Sequence, residues 1–395
     1  MSNCAIVGIN WGDEGKGRMV DLLTEKYDVV VRYQGGGNAG HTVINEYGKF
    51  ALHLIPSGIF RKGVVNILGD GVALDPENLW LEIESIREKG VHITPENLKI
   101  SNRASLLMPW HRELDALEEQ RLADKKYGST KQGIAPFYSD KYAKKTVMAG
   151  ELFYPDQLKN HLADLLEWKN LTLVNVYGAK PYTMEMLDMW IKDYCEKIKP
   201  FICDTAKFMK DALKKDKKIM FEAQLGSLRD LNCGIYPYTT SSNTTAAFAP
   251  VGAGAPGVKI DDIIGVVKAY STCVGEGPFI SELHGDEASD LREAGEEYGA
   301  KTGRPRAWPV NRRNGQTALR PETKHFCLPS GQTGRLPAGI LFEIRTAAEG
   351  EESGHSGSCR VWYICACGFG EYRAENCGNG RLSQHLAGRY AANCK

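Results

Sequence analysis

A glycine-rich segment near the N-terminus carries charged residues in a spacing suited to phosphate chemistry. Residues 8–18 read G-I-N-W-G-D-E-G-K-G-R and follow a short apolar run. Glycine lets backbone N–H groups approach a phosphate closely, and Lys16 adds a positive charge. Asp13 and Glu14 would repel a phosphate, so an acid here indicates Mg²⁺ binding or proton transfer. The segment therefore predicts a nucleotide site, and the alternative is a glycine-rich turn without a ligand.

A second glycine-rich segment, Q-G-G-G-N-A-G-H-T at residues 34–42, follows a β-branched run at residues 28–33. Ligands of open α/β sheets bind at the carboxyl ends of the strands, so both segments can line one crevice. His41 can act there as a general acid or an electrophile near neutral pH. A lone histidine is more often structural, but its loop has little packing role, which favours the catalytic interpretation.

Alternating strands and helices are predicted to position these two segments. The fold class is α/β, with a large, mostly parallel central sheet flanked by helices, a helical excursion near residues 100–200 and a P-loop-NTPase-like nucleotide site. The predicted strands are 4–9, 28–33, 50–55, 64–68, 219–221 and 263–267. The predicted helices are 17–27, 76–89, 110–126, 156–168, 183–198 and 204–215, and the second begins at an Asp75 N-cap followed by proline.

Composition excludes several classes of protein. The chain has 395 residues, 42% hydrophobic and 25% charged, which is ordinary for a globular protein and excludes a mainly disordered one. Its 49 Lys+Arg balance 49 Asp+Glu, which argues against a protein built to bind nucleic acid. No apolar run approaches the roughly 18–20 residues of a membrane span, and no secretory signal is visible at the N-terminus.

The composition changes abruptly after residue 306. Six of the eleven cysteines lie in residues 307–395, and aspartate falls from 20 residues before that point to none after it. Three interpretations compete for this tail. Cys359, Cys365, Cys367 and Cys377 lack the paired spacing of a zinc site, and a disulfide-rich appendage does not suit a chain without an export signal. Out-of-frame translation explains the change best, so the predicted division is 1–306 and 307–395.

The motifs of residues 4–306 resemble the adenylosuccinate synthetase family. Its W-G-D-E-G-K-G stands at residues 11–17 and its N-A-G-H-T at residues 38–42. Further matches follow in the same order, at residues 129–130, 133–134, 138–141, 234–238, 241–244, 270–272, 274–275, 277–279 and 302–306. Several independent motifs in the right order make chance similarity negligible.

The resemblance implies a GTP-dependent ligase of AMP biosynthesis. GTP would phosphorylate the 6-oxygen of IMP, and the amine of L-aspartate would then displace that phosphate to give adenylosuccinate, GDP and phosphate. One Mg²⁺ per subunit would bridge the phosphates of GTP. The resemblance also implies a homodimer in the cytoplasm, with neither nucleic acid nor membrane as a partner.

The same resemblance assigns roles to individual residues. Asp13 would take the N1 proton of IMP and, with the carbonyl of Gly40, hold Mg²⁺, while His41 would stabilise the transferring oxygens. The GTP-binding residues would be Gly12, Asp13, Glu14, Gly15, Lys16, Gly17, Arg18, Gly40, His41, Thr42 and Arg306. The IMP-binding residues would be Asp13, Lys16, Asn38, His41, Thr130, Lys144, Gln224, Thr240 and Arg304. Ala300, Lys301, Thr302, Gly303, Arg304, Pro305 and Arg306 would bind aspartate.

The chain departs from the family pattern at several points. Lys144 replaces an arginine that reaches the partner subunit's IMP, Gln224 stands one position early in F-E-A-Q-L-G, and Cys273 stands where arginine is common. After Arg306 the family's T-K-L-D and G-P-x-R motifs do not occur. Two rivals remain. A GTPase or kinase would need Ser or Thr after the Walker lysine, where this chain has Gly17, and a catalytically impaired nucleotide-binding chain would fit the missing guanine-reading motif.

Overall fold

The fold is known from a computed structural model, which describes residues 3–38, 40–267, 270–279, 282–294, 306–309, 341–344 and 360–365. The strands are β1 Cys4–Gly8, β2 Val29–Arg32, β3 His41–Asn45, β4 Gly48–Leu52, β5 Val65–Leu68, β6 Ala73–Leu74, β7 Leu98–Ser101, β8 Ser105–Leu106, β9 Ile202–Cys203, β10 Ile219–Gly226, β11 Asp262–Val267, β12 Tyr270–Cys273, β13 Arg306–Pro309, β14 Leu341–Ile344 and β15 Arg360–Cys365. The helices are α1 Lys16–Leu23, α2 Pro76–Glu88, α3 Pro109–Leu122, α4 Ile134–Tyr142, α5 Pro155–Tyr177, α6 Met184–Trp190, α7 Glu196–Ile198, α8 Thr205–Lys214, α9 Ala249–Gly252 and α10 Gly285–Ala294.

A central sheet carries the two glycine-rich loops at the carboxyl ends of its strands. Its order is β14-β15-β11-β1-β10-β2-β5-β7-β9, and every neighbouring pair is parallel except β14 with β15. β1 and β2 are buried along their whole length, as expected for parallel strands covered on both faces. The predicted α/β fold class is confirmed.

Helices α3 to α7 form the predicted helical excursion, between residues 109 and 198. Their apolar faces pack into a large core that includes Trp110, Leu162 and Leu187. Instead of the single predicted helix at 183–198, the chain forms α6 and α7, which are joined by a π-helical turn at Ile191–Cys195. Within the described ranges, no helix is long and apolar enough to cross a membrane.

Local sequence signals predict the start of α2 correctly. The strand predicted at residues 50–55 has different bounds in the structure because of a tertiary contact. The Asp75 side chain accepts a hydrogen bond from Asn78 N at 3.1 Å, as an N-cap does, and Pro76 opens the helix. β4 instead spans Gly48–Leu52 and pairs with β3. It ends there because the next two amides, of His53 and Leu54, donate to the carboxylate of Glu82 at 2.8 Å.

Three described strands lie beyond residue 305. β13 pairs antiparallel with β12, from Arg306 beside Cys273 to Pro309 beside Tyr270. β15 extends the central sheet by pairing in parallel with β11, from Arg360 beside Asp262 to Cys365 beside Val267. Almost any sequence can form strand pairs of this kind, because the backbone of every non-proline residue carries a donor and an acceptor. These strands therefore do not test the division of the chain at residue 306, which stays a prediction.

Candidate active site

The first glycine-rich loop, residues 8–17, is braced by the buried carboxylate of Glu14. Its Oε1 accepts hydrogen bonds from Asn10 N at 2.9 Å and Gly12 N at 2.8 Å. Its Oε2 lies 2.8 Å from Lys16 Nζ, which also donates to the carbonyl of Gly12 at 2.9 Å. Both charged side chains are at most 1% exposed. Glu14 therefore holds the shape of the loop, a different task from the metal binding or proton transfer that an acid here suggested.

The backbone of the loop leads into the N-terminal end of α1. Gly15 is the N-cap, with a φ of 86° that favours glycine, and Lys16, Gly17 and Arg18 form the first turn. Amide groups in a first helical turn lack intrahelical partners and attract anions. The predicted phosphate site therefore coincides with a helix N-terminus at the carboxyl end of β1.

Gly17 brings the first loop against the second, which we define as residues 34–42. A Cβ atom at Gly17 would lie 2.6 Å from Cβ of His41 and 3.0 Å from Oγ of Ser57, so there is no room for a side chain. The charge of Lys16 is close enough to act on the His41 ring. The two loops that the sequence singled out thus meet in one site.

His41 is held by Glu222 of β10, a residue 181 positions away. Its Nδ1 lies 2.8 Å from Oε1 of Glu222, and Ser57 donates to the same carboxylate from Oγ at 2.8 Å and from N at 2.9 Å. The imidazole is buried, and its Nε2 has no hydrogen-bond partner within the described ranges. With Glu222 ionised, Nδ1 is the donor, and Nε2 becomes a donor only when the ring is protonated.

Burial and charge set the protonation of this pair. Burial lowers the pKa of His41 below its usual range, and the bond to Glu222 opposes that effect. Burial acts to raise the pKa of Glu222, but the hydrogen bond from His41 and the charge of Arg32 outweigh it, so this pKa lies below its usual range. Arg32 lies beside Glu222 in the register of β2 and β10 and is fully buried. Burial raises the pKa of nearby Glu82 to about 7.

Gln224 also reaches the second loop, although it stands one position early in the motif. Its Nε2 donates to the carbonyl of Gly36 at 2.6 Å, and its own carbonyl accepts from Nε2 of Gln34 at 2.7 Å. The β1–β10 register shifts just here, between Ile6 and Gly8. Leu225 takes up the shift with a φ of 61°, an unusual value for a residue with a side chain.

The segments bearing Asn38 and Thr130 lie side by side. Gly35 N donates to the hydroxyl of Tyr138 on α4 at 3.0 Å, and a Cβ at Gly36 would lie 2.7 Å from Cδ1 of Ile134. Asn38 is half-buried and accepts a hydrogen bond from Gly36 N at 3.3 Å. Thr130 is half-buried in the loop that precedes α4.

Thr240 is tied to the first loop through Arg229. Its N–H donates to the carbonyl of Arg229 at 2.8 Å, and the guanidinium of Arg229 lies 5.0 Å from the ring centre of Trp11. The same guanidinium lies 2.9 Å from Sγ of buried Cys273, the position where the family usually has arginine. Lys144, in contrast, is exposed just after α4, with a φ of 61°, and its N–H donates to the carbonyl of Lys141.

Asp13 is exposed on the first loop and contacts the strand next to Arg306. Thr272 Oγ1 donates to its Oδ2 at 3.1 Å. Thr272 belongs to β12, which pairs with β13, whose first residue is Arg306. The aspartate-binding residues predicted at 300–305, including Arg304, lie outside the described residues.

The donor set around Asp13 suits a magnesium ion that is shared with substrate. Mg²⁺ prefers oxygen ligands and is commonly held by one or two carboxylates together with substrate phosphates and water. Asp13 offers an exposed carboxylate, and Gly40 is exposed in the second glycine-rich loop. In the described part of the chain, no group of three or more His, Cys, Asp or Glu could hold a metal alone. The residues present thus fit a shared ion and no all-protein cage.

The chain matches the family model described as adenylosuccinate synthetase over residues 5–309. The chain belongs to the adenylosuccinate synthetase family. Members of this family are GTP-dependent ligases that join IMP and aspartate in AMP biosynthesis. The adenylosuccinate synthetase of Halothermothrix orenii is 47% identical over 306 residues, which cover 78% of this chain and 71% of that protein. The enzyme of Thermodesulfovibrio yellowstonii is 50% identical over 307 residues, with the same coverage.

Solved structures show the same likeness. The fully ligated adenylosuccinate synthetase of Plasmodium falciparum superposes with a TM-score of 0.72 at 35% identity, covering 78% of this chain and 72% of that one. The succinoaminodeoxyadenylate synthetase of cyanophage S-2L superposes with a TM-score of 0.58 at 20% identity, covering 80% and 81%. At that identity the second likeness shows the fold alone.

The sequence did not predict two residues of the candidate site. Glu222 holds His41, and Ser57 donates to Glu222, but the sequence indicated Glu222 only as part of a motif and did not indicate Ser57. A signal for Glu222 exists, since an acid in the buried run Ile219–Gly226 must have a partner to remain charged. No comparable signal marks Ser57, because serine is common in loops.

Proposed function

We propose that the chain catalyses GTP-dependent ligation of IMP and L-aspartate through a 6-phosphoryl-IMP intermediate. One observation carries this proposal: Gly17 packs the first loop, with Asp13 and Lys16, directly against His41. An amide-like oxygen is a poor leaving group, and phosphorylation makes it a good one. The reaction needs a proton acceptor, a phosphate cradle and a donor to transferring oxygens, and the two loops that touch at Gly17 carry residues suited to each task.

Asp13 begins the reaction by accepting the N1 proton of IMP. Loss of that proton makes the 6-oxygen nucleophilic, so that it attacks the γ-phosphorus of GTP and releases GDP. The amine of aspartate then attacks C6, the C6–O bond breaks, and phosphate departs with the proton that the amine loses. Thr272 orients the carboxylate of Asp13 through the bond to Oδ2. Mg²⁺, held by Asp13 and the carbonyl of Gly40, supplies charge neutralisation on the phosphates when it is bound.

His41 stabilises the transferring oxygens from Nε2. A protonated ring donates from Nδ1 to Glu222 and from Nε2 to the phosphoryl group at once. Burial keeps the resting pKa of His41 low, and the arrival of substrate phosphates favours the protonated form. Lys16, which is near the ring, adds a fixed positive charge to the same site.

The other proposed substrate contacts are made by residues of the two glycine-rich loops and of the segments around them. In the proposal GTP lies along Gly12, Glu14, Gly15, Gly17, Arg18, Thr42 and Arg306, and IMP contacts Asn38, Thr130, Gln224, Thr240 and Arg304. Residues 300–306 bind aspartate. The enzyme acts in the cytoplasm as a homodimer in which exposed Lys144 reaches the partner subunit's IMP; lysine supplies the charge there without the forked geometry of arginine.

Positional isotope exchange tests the step order on the full chain. GTP labelled with ¹⁸O at the β–γ bridge should scramble its label in the presence of IMP and Mg²⁺ before any aspartate is added. Phosphate release should then require all three substrates. GTP hydrolysis without IMP would identify a GTPase instead, and binding without scrambling or turnover would identify an impaired nucleotide-binding chain.

We also propose that residues 1–306 form an adenylosuccinate synthetase-like α/β domain that is incomplete, and that residues 307–395 are out-of-frame translation. The composition break and the end of the family match at residue 309 support this division. Resequencing the gene across the codons for residues 300–310 tests it. A single inserted or deleted base that restores T-K-L-D downstream is the expected result, and an intact reading frame would refute it.

A further inference from the structure

Two carboxylates on α3, four residues apart, face the loop of residues 127–133, which we call the Thr130 loop. Asp115 and Glu119 are 5% and 8% exposed. Oδ1 of Asp115 accepts from Oγ of Ser129 at 2.6 Å, and Oδ2 accepts from Gly133 N at 2.8 Å. Asp115 therefore holds the loop on both sides of Thr130.

Glu119 holds the start of the same loop. Its Oε1 accepts from Tyr127 N and its Oε2 from Gly128 N, both at 3.1 Å. In the described part of the chain, the hydrogen-bond partners of Asp115 and Glu119 are these loop N–H and O–H groups, and neither acid is in an ion pair. A buried carboxylate needs such donors, so the two acids and the loop depend on each other.

The Thr130 loop needs this support because its backbone is unusual. Gly128, Lys131 and Gly133 have φ values of 72°, 56° and 75°, and a left-handed conformation is costly for lysine. A Cβ at Gly133 would lie 2.7 Å from the carbonyl carbon of His111, so the loop is pressed onto α3. Local propensity alone would not select this shape.

We propose that Asp115 and Glu119 are positioning residues that preset the Thr130 loop for the nucleoside monophosphate substrate. We call the hydrogen bonds of Asp115 and Glu119 to the Thr130 loop the clamp. The clamp is also linked to the second glycine-rich loop. Gly133, whose N–H donates to Asp115, is the N-cap residue of α4. Tyr138 of the same helix accepts a hydrogen bond from Gly35 N of the second loop. Two binding segments are thus set by one helix face. The proposal rests on the assignment of Thr130 and Asn38 to IMP.

Binding measurements on the full chain test the clamp. Asp115→Asn and Glu119→Gln keep side-chain size but replace one of the two acceptor oxygens with an NH2 group, which cannot accept a hydrogen bond. Each should weaken IMP binding about tenfold by calorimetry, the loss expected for a hydrogen bond to a charged group. Affinity for a non-hydrolysable GTP analogue should stay within twofold, because the first loop is braced separately. Unchanged IMP affinity in both variants would overturn the proposal.

Glu118→Gln is the matched control. Glu118 lies on the same helix but is bonded to Arg121 and Tyr177, outside the Thr130 loop, so its loss should leave IMP affinity unchanged. Two results for Asp115→Asn and Glu119→Gln would show a merely structural role and overturn the proposal. One is an equal loss of affinity for IMP and for the GTP analogue, and the other is a lowered Tm that explains both losses of affinity.

Hydrogen exchange tests whether Asp115 and Glu119 hold the Thr130 loop, independently of whether that loop binds IMP. Amides of residues 127–133 should exchange faster in Asp115→Asn and Glu119→Gln, while those of β1 and β2 keep their protection. If the unaltered chain binds no IMP, the proposed function fails, and the exchange data still decide whether the clamp holds the loop. Unchanged exchange at 127–133 would refute the clamp itself.

Discussion

The two glycine-rich loops differ in where their supports come from. The loop of residues 8–17 is braced by Glu14, whose hydrogen bonds join residues no more than four positions away. The loop of residues 34–42 depends on distant groups instead. Its partners are Tyr138, Glu222, Gln224 and Ser242, between 103 and 208 positions along the chain.

This difference separates two ways of building a catalytic loop. The Glu14 brace is made by residues of the first loop itself, although that loop also has distant contacts, such as the bond from Thr272 to Asp13. The support of His41 in the second loop exists only when the sheet brings β10 beside it. Substitutions can test this contrast between a local brace and a remote support.

Asp13→Ala should have the largest effect, because it removes the proposed proton acceptor but leaves the hydrogen bonds of Glu14 in the first loop intact. Turnover should fall below detection, while the affinity for IMP changes only a few-fold. Phosphate release and calorimetry measure the two quantities. Glu25→Ala, at an exposed acid beyond α1, is the control and should retain activity. Near-normal turnover in Asp13→Ala would place the chemistry elsewhere.

Glu14→Gln should break the local brace and cost about 3–5 kcal/mol of stability, because it leaves buried Lys16 without its counter-charge. Urea unfolding followed by circular dichroism measures this. Glu196→Gln removes an exposed pair with Lys199 at similar sequence spacing and should cost at most about 1 kcal/mol. Equal costs in the two variants would show that the brace does not stabilise the fold.

His41→Asn should lower kcat by about 10²–10³-fold with little change in KM, the usual cost of one lost transition-state donor. Steady-state kinetics with saturating GTP and aspartate measure it. In the proposed mechanism Asp13 and His41 serve one phosphoryl transfer, so the double variant should lose little more than Asp13→Ala alone. Additive losses would mean that the loops act in separate steps.

Glu222→Gln should have a smaller effect on turnover, about tenfold at pH 7.5, because it weakens the remote support of His41 without removing the ring. Loss of the carboxylate lowers the pKa of His41 further, so the basic limb of the pH–rate profile should move to lower pH. Ser57→Ala removes a donor from the Glu222 oxygen that binds His41, which makes this oxygen a stronger acceptor for Nδ1, so the profile should shift by less and to higher pH. An unmoved profile in both variants would separate Glu222 from the function of His41.

Acid should destabilise the fold slightly through its buried histidines. Burial lowers the pKa of His41 and His111, so the unfolded chain binds more protons below its own histidine pKa of about 6.5. Stability should be unaffected by them above that pH and fall by up to about 1 kcal/mol for each histidine between pH 7.5 and 5.5. Between pH 7.5 and 5.5 the His41→Asn variant should lose less unfolding free energy than the unaltered chain. An equal loss in both proteins would contradict the prediction.

Much of the fold and part of the site could be predicted without coordinates. The N-cap at Asp75, the helix near residue 205 and the parallel strands carry local signals, and all three were predicted. The π-helical turn at Ile191–Cys195 and the early end of β4 were missed. Both depend on packing or on the carboxylate of Glu82, which no local pattern reveals.

The sequence by itself determined the family, the two loops and the residue types that they present to substrate. These follow from spacing over a few residues, where backbone geometry and side-chain chemistry are local properties. Only the tertiary structure decided that Glu222 holds His41, that Ser57 donates to Glu222, and that Asp115 and Glu119 hold the Thr130 loop. The physical reason is that a buried carboxylate must find donors, and the complete fold decides which donors lie within reach.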